Sequence, residues 1–98
     1  MEGLFMRDVK EVNIEKEIHK NLGMRSTAEI FFNNLDSNFS KIIIDFKDVE
    51  FVSRSFAQEY VYQKKQRNSE IIEKNMSEFV KNMLDIVTKD YENYLENL

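Results

Sequence analysis

Three consecutive isoleucines, Ile42-Ile43-Ile44, stand between Lys41 and Asp45-Phe46 near the middle of the chain. β-branched side chains lose rotamer freedom against a helical turn and pack well on a pleated surface, so this run predicts a strand. Its apolar residues fall on both faces, with Asp45 as the polar exception. That pattern suits a central strand covered on both sides, or nearly so.

On either side of this strand the apolar spacing switches to that of helices. Ala28, Phe31, Phe32 and Leu35 share one helical face, and Ser26-Thr27-Ala28-Glu29 ahead of them has the form of a capping box. Asp36-Ser37-Asn38 predicts the end of that helix. After the strand, Lys47-Asp48 predicts a turn and Val49 to Val52 a further extended stretch. Ser55-Phe56-Ala57-Gln58 reads as a second capping box. The helix it opens buries Phe56, Ala57, Tyr60 and Val61 and fades at Lys64-Lys65-Gln66-Arg67-Asn68. Ile71 and Ile72 predict a short strand over 70–74.

Asn75, with Glu78 at the matching third position, predicts the start of a last helix. Val80, Met83, Leu84, Val87, Tyr91, Tyr94 or Leu95, and Leu98 hold its period of 3.6 residues. Roughly 20 residues would make it ~30 Å long, more than a domain of this size needs. Tyr91, Tyr94, Leu95 and Leu98 are therefore either the tail of the core or an overhang that packs on a partner or a second copy. Near the start, Ile14, Ile18 and Leu22 recur every four residues, with Asn13 placed to cap them and Gly23 to end them. Residues 1–12 carry the weakest pattern; Leu4 to Val9 suit a strand with Leu4 and Met6 on one face, against Arg7 and Asp8.

The order β-α-α-β-α-β-α predicts an α/β fold whose sheet contains parallel pairs with helices against it. With 98 residues a single domain spanning 1–98 is expected, with a helical extension at 90–98. The content of 42% hydrophobic and 33% charged residues is that of a globular chain. There is no Cys, which excludes disulfides, thiolate metal sites and cysteine nucleophiles. Two Gly and no Pro leave no glycine-rich phosphate loop. The net charge of −4 argues against nucleic acid and anionic membranes as partners. No apolar run approaches ~18 residues, so no membrane span is expected and the cytoplasm is the default address.

The residues that could carry chemistry are few. His19 is the one histidine, and without a paired nucleophile it gives no catalytic constellation. Asp45, Asp48 and Glu50 form a small acidic group, but spacing alone does not make them converge on a cation. Lys64, Lys65 and Arg67 with Tyr60 and Tyr62 have the composition of a nucleic-acid patch and equally that of a solvated helix end. No enzyme activity, cofactor or metal is expected.

The stretch from Ile42 to Glu59 resembles the STAS domains of anti-sigma-factor antagonists, in which a central strand, an acidic-apolar turn and a short extended segment lead to an Asp-Ser-Ser-Gly-like helix start. It is more similar to a STAS-like family of unknown function. That family pairs a strand ending in Asp-Phe, here Asp45-Phe46, with a later Ser-Phe-Ala-x-Glu, here Ser55 to Glu59. The family also carries an Arg before the first clear helix, here Arg25, and an Asn before the last, here Asn75. The resemblance covers about residues 22–88. It implies a small mixed sheet with helices mainly on one face, and a regulatory protein–protein interaction, with partner switching among the forms that takes.

Ser55 matches the serine phosphorylated in the antagonists, where a phosphate adds charge at a docking surface. This chain departs from that motif at Ser53 in place of the Asp, Arg54 in place of the first Ser and Phe56 in place of the Gly. Ser55 is thus either a helix cap or a regulated site, and Arg54 and Arg25 either make local pairs or contact a partner or anion. The expected partner-binding or regulatory residues are Arg25, Ser53, Arg54, Ser55 and Glu59. The alternative function is a homodimeric assembly protein associating through Tyr91, Tyr94, Leu95 and Leu98; nucleotide or nucleic-acid binding comes third.

Overall fold

The computed structural model describes residues 9–18, 23–35 and 38–98. The elements are β1 (Val9–Asn13), α1 (Ile14–Ile18), α2 (Arg25–Asn33), β2 (Lys41–Asp45), α3 (Arg54–Gln66), β3 (Glu70–Lys74) and α4 (Glu78–Glu96). The fold is a small α/β one: a three-stranded sheet in the order β1-β2-β3 and four helices among the described residues. β2 is central, as its isoleucine run requires. Both of its pairings are parallel, so the described sheet is purely parallel rather than the mixed sheet implied by the STAS resemblance. Parallel neighbours need a crossover, and α2 and α3 supply the two. α2 packs on α3 and α3 on α4, giving one layer of helices.

Alternation along the strands divides the sheet into two unlike faces. Val12, Ile42 and Ile44 are buried beneath the helices. On the other face Ile43 is half-buried, Ile72 is 36% exposed and Val9 50% exposed. The expectation of a strand covered on both sides thus holds for one face only among the described residues. The core centres on Tyr60, which is fully buried, meets Phe32 and Phe46 edge to face at centroid distances of 5.2 and 5.8 Å, and stacks on Phe56 at 6.2 Å. Each such aromatic pair adds about 0.5–1.5 kcal/mol beyond its burial.

The described first strand is Val9–Asn13; Leu4 and Met6, named for a strand over Leu4 to Val9, lie outside the described residues. Asn13 caps α1 as expected, its Oδ1 accepting from the Lys16 N–H at 2.9 Å. Ile14 and Ile18 are buried, while His19 and Leu22 lie outside the described residues. Val49 to Val52 is a connection, not a strand; it buries Val49 and Val52 and leaves Phe51 exposed. Lys47-Asp48 does form the turn, closed by Val49 N–H donating to the Phe46 carbonyl at 3.0 Å, with Asp48 at φ 70°. β3 and the 19-residue α4 occupy the segments expected for them.

The helix starts differ from the sequence expectation in a consistent way. α2 begins at Arg25, and Met24 at its N-cap makes no side-chain cap, so Ser26 is inside the helix and no capping box forms. α3 is capped by Ser53, whose Oγ accepts from Phe56 N–H at 3.0 Å; Ser55 is its second residue. α4 is capped by Ser77, which accepts from Val80 N–H at 3.2 Å. Asn75 instead sits at φ 60° and donates its amide to Asp45 at 2.9 Å.

Candidate functional site: a tyrosine-walled groove across α2, α3 and α4

α4 crosses α3 rather than running beside it. Its residues Asp90 and Glu92, half a turn apart, reach opposite ends of α3: Arg54 pairs with Asp90 at 2.7 Å and Lys65 with Glu92 at 3.1 Å. The crossing leaves a cavity of about 660 Å³ lined by Arg25, Gln58, Glu59, Tyr62, Val87, Asp90, Tyr91 and Tyr94. The floor is apolar, since Val87 belongs to the core and half-buried Tyr91 packs against it. Tyr62 and Tyr91 meet edge to face at 6.4 Å and form one wall. Tyr94, 63% exposed, stands at the mouth.

Arg25 closes the other side. One guanidinium nitrogen donates to Glu59 Oε1 at 3.1 Å and another to Gln58 Oε1 at 2.9 Å. Glu59 also accepts from Gln63 Nε2 at 2.7 Å, which fixes the carboxylate. The groove's rim therefore has two ion pairs, Arg25–Glu59 and Arg54–Asp90, with arginine side chains more than half exposed. Arg54–Asp90, exposed on both sides, is worth ~0–1 kcal/mol to folding, so a partner can exchange it at low cost, whereas Glu59 is 13% exposed and stays tied to Arg25 and Gln63.

Two groups of residues that the sequence suggested separately thus meet in one place: Arg25 and Glu59 with Tyr91 and Tyr94, and Arg54 at the rim through Asp90. Gln58, Tyr62, Val87 and Asp90 were not singled out for this role; Tyr62 stands four residues from Gln58 on the same helical face, which is the signal that could have found it. Ser53 lies outside the lining, and its Oγ both caps α3 and donates to the Gly23 carbonyl at 3.0 Å. Ser55 is exposed and does not line the groove. Leu95 and Leu98 are 46% and 82% exposed beyond it.

The position of the cap makes a direct prediction. Ser53→Ala should cost about 1.5 kcal/mol in urea unfolding, because it loses the Phe56 cap and the Gly23 bond together. Ser55→Ala should change stability by less than ~0.5 kcal/mol. Equal costs at both positions would place the cap wrongly.

The basic cluster disperses. Lys64 pairs with Glu73 at 3.1 Å and Lys65 with Glu92, while Arg67 turns inward to the carbonyls of Phe32 and Leu35 at 3.0 and 3.3 Å. The acidic group does not converge either: Asp45 accepts from Asn75 and from Lys47 N–H. The Asn75 bond, followed by that of Lys47, holds the Asp45 carboxyl below its ordinary range. Among the described residues no three His, Cys, Asp or Glu side chains are arranged to hold a metal ion, and no helix is long and apolar enough to cross a membrane.

Compared with known proteins, the chain matches no family model, no curated protein and no solved structure.

Proposed function

We propose that this chain is a non-enzymatic protein-interaction module, working in the cytoplasm, and that its partner seats a polypeptide segment in the groove between α3 and α4. The observation that carries the reading is the composition of that groove: three tyrosines around an apolar floor, with arginine-bearing ion pairs at the rim. Tyr and Arg are the residues over-represented at binding hot spots, because each offers a large rigid contact with a polar end. The charged groups of the groove are engaged with one another, an arrangement suited to recognition rather than to proton transfer. The resemblance of residues 42–59 to the anti-sigma-factor antagonists supports a regulatory role for this docking. In that role the Ser53–Glu59 helix start contributes its far end, Gln58 and Glu59, directly to the groove.

A photo-crosslinking amino acid in place of Tyr62 tests the reading in native lysate, with the same group in place of exposed Lys81 as control. The expected result is a discrete protein adduct at position 62 that is absent at 81 and is competed away by unlabelled wild type but not by Arg25→Glu. Adducts of the same identity at both positions would refute the groove.

A second reading rests on the exposure of Tyr94, Leu95 and Leu98, and makes the end of α4 a self-association surface. Removing residues 94–98 should then convert a dimer to a folded monomer; a species of unchanged size and fold would end that reading.

A further inference from the structure

The face of the sheet turned away from the helices carries a pattern that fits a copy of itself. Parallel strands are ordinarily covered on both faces, yet here the described helices lie on one side only. The register sets three rows across the open face: Val9, Lys41 and Glu70; Glu11, Ile43 and Ile72; Asn13, Asp45 and Lys74. Glu11 and Lys74 pair at 2.6 Å from opposite edge strands, so their side chains lie on this face together. The middle row is apolar on β2 and β3. The outer rows are opposite in sign: on β2 Lys41 stands at one end and Asp45 at the other, and on β3 the order is reversed, Glu70 then Lys74.

A two-fold axis parallel to the sheet plane, midway between the two sheets, perpendicular to the strands and over the middle row, sets each strand reversed above its own copy. It sets Ile43 on Ile43 and Ile72 on Ile72. It also sets Lys41 against Asp45 of the second copy, and Glu70 against Lys74. Both charged pairs are attractive, and sheets packed face to face lie ~10 Å apart, within reach of such side chains. Lys74 serves one of two carboxylates, its own Glu11 or Glu70 of the second copy, so Lys41 with Asp45 is the attraction that needs no exchange, and the Glu11 on Glu11 contact is offset where Lys74 stays with Glu11. We infer that this face is the interface of an isologous homodimer, two copies packed sheet to sheet about that axis. Three strands of five residues bury less than the ~800 Å² per partner of a standard interface, so the dimer is a weak, concentration-dependent one.

Residue 72 meets itself on the axis, which gives a test. Sedimentation equilibrium across a wide concentration range should show the wild-type mass rising from 11.8 kDa toward twice that value. Ile72→Lys and Ile72→Glu should each weaken association by at least ~10-fold, since like charges then face each other, while an equimolar mixture of the two associates again. Should Ile72→Lys not fold, Glu70→Lys opposes two lysines with the same expected loss. A wild type that stays monomeric throughout, an undiminished dimer in Ile72→Lys, or a mixture that does not associate would overturn the inference. Association that survives Ile72→Lys but not removal of residues 94–98 would assign it to the end of α4. A monomer that dimerises only when residues 1–8 are removed would assign the face to that segment.

Discussion

Arg67→Ala should destabilise the protein by about 3 kcal/mol, lowering the melting temperature by on the order of 15 °C for a chain of this length. Arg67 follows α3 in sequence, but its guanidinium spans to the end of α2, where it donates to the Phe32 and Leu35 carbonyls. The Phe32 carbonyl already accepts from Leu35 N–H at 3.1 Å, and Arg67 adds to it, and to the Leu35 carbonyl past the helix end, charge-assisted bonds that are each worth more than a neutral one. The cation also lies 5.9 Å from the centre of the Phe32 ring, so truncation removes a packing contact beneath Tyr60's neighbour as well. Nε is buried without a partner, a cost the native state already bears. Lys offers a shorter point charge in place of the rigid guanidinium fork and loses the contact over the Phe32 ring, so Arg67→Lys should recover less than half of the loss. Full recovery by Lys, measured by urea denaturation, would show that charge alone matters there.

Tyr60→Phe should cost about 2 kcal/mol at neutral pH, and the cost should disappear in alkali. The Tyr60 hydroxyl donates to Glu73 Oε2 at 2.6 Å inside the core, and Lys64 holds the same carboxylate. A hydrogen bond to a charged acceptor contributes ~1.5–3 kcal/mol. Burial, and after it the negative charge of Glu73, pushes the Tyr60 hydroxyl well above its ordinary range. A group whose pKa is raised by folding stabilises fully below its unfolded value, near 10, and that contribution declines as pH rises further. The decline is about 1.4 kcal/mol per pH unit. The difference between wild type and Tyr60→Phe should therefore be constant from about pH 7 to 9.5 and nearly gone by about pH 11.5. A gap that stays constant through pH 11.5 would mean that Tyr60 ionises no differently in the folded and unfolded chains.

Neither of these contacts was readable from the sequence. Arg67 was grouped with Lys64 and Lys65 because the three are close along the chain, and only the crossover geometry separates an inward arginine from two solvent-facing lysines. The isoleucine run and the last helix were legible because β-branched crowding and a 3.6-residue period act locally. Helix starts were not, because Ser53 and Ser55 are chemically identical candidates. The choice between them is made by tertiary contacts: Val52 is anchored in the core and Ser53 is tied to Gly23, which stops the helix from starting later. Ser26 lost its cap role for a similar reason, since Arg25 enters the helix to reach Gln58 and Glu59. The open sheet face is not legible in the sequence because Ile42, Ile43 and Ile44 are alike as residues, and only pairing tells which one is left without a helix over it.

The groove was half legible. Arg25 and Glu59 were reached through the family resemblance and Tyr91 and Tyr94 through the length of the last helix, but nothing in the sequence joined them. Their convergence follows from α4 crossing α3.

The most direct test of that convergence is quantitative affinity capture from native lysate with wild type, Tyr62→Glu, Arg25→Glu and Ser55→Asp side by side. The expected result is a protein retained by wild type and Ser55→Asp and depleted at least ~10-fold by both groove substitutions, each of which stays folded. A protein lost only with Ser55→Asp and kept by both groove variants would contradict it, and would return the docking surface to the exposed start of α3.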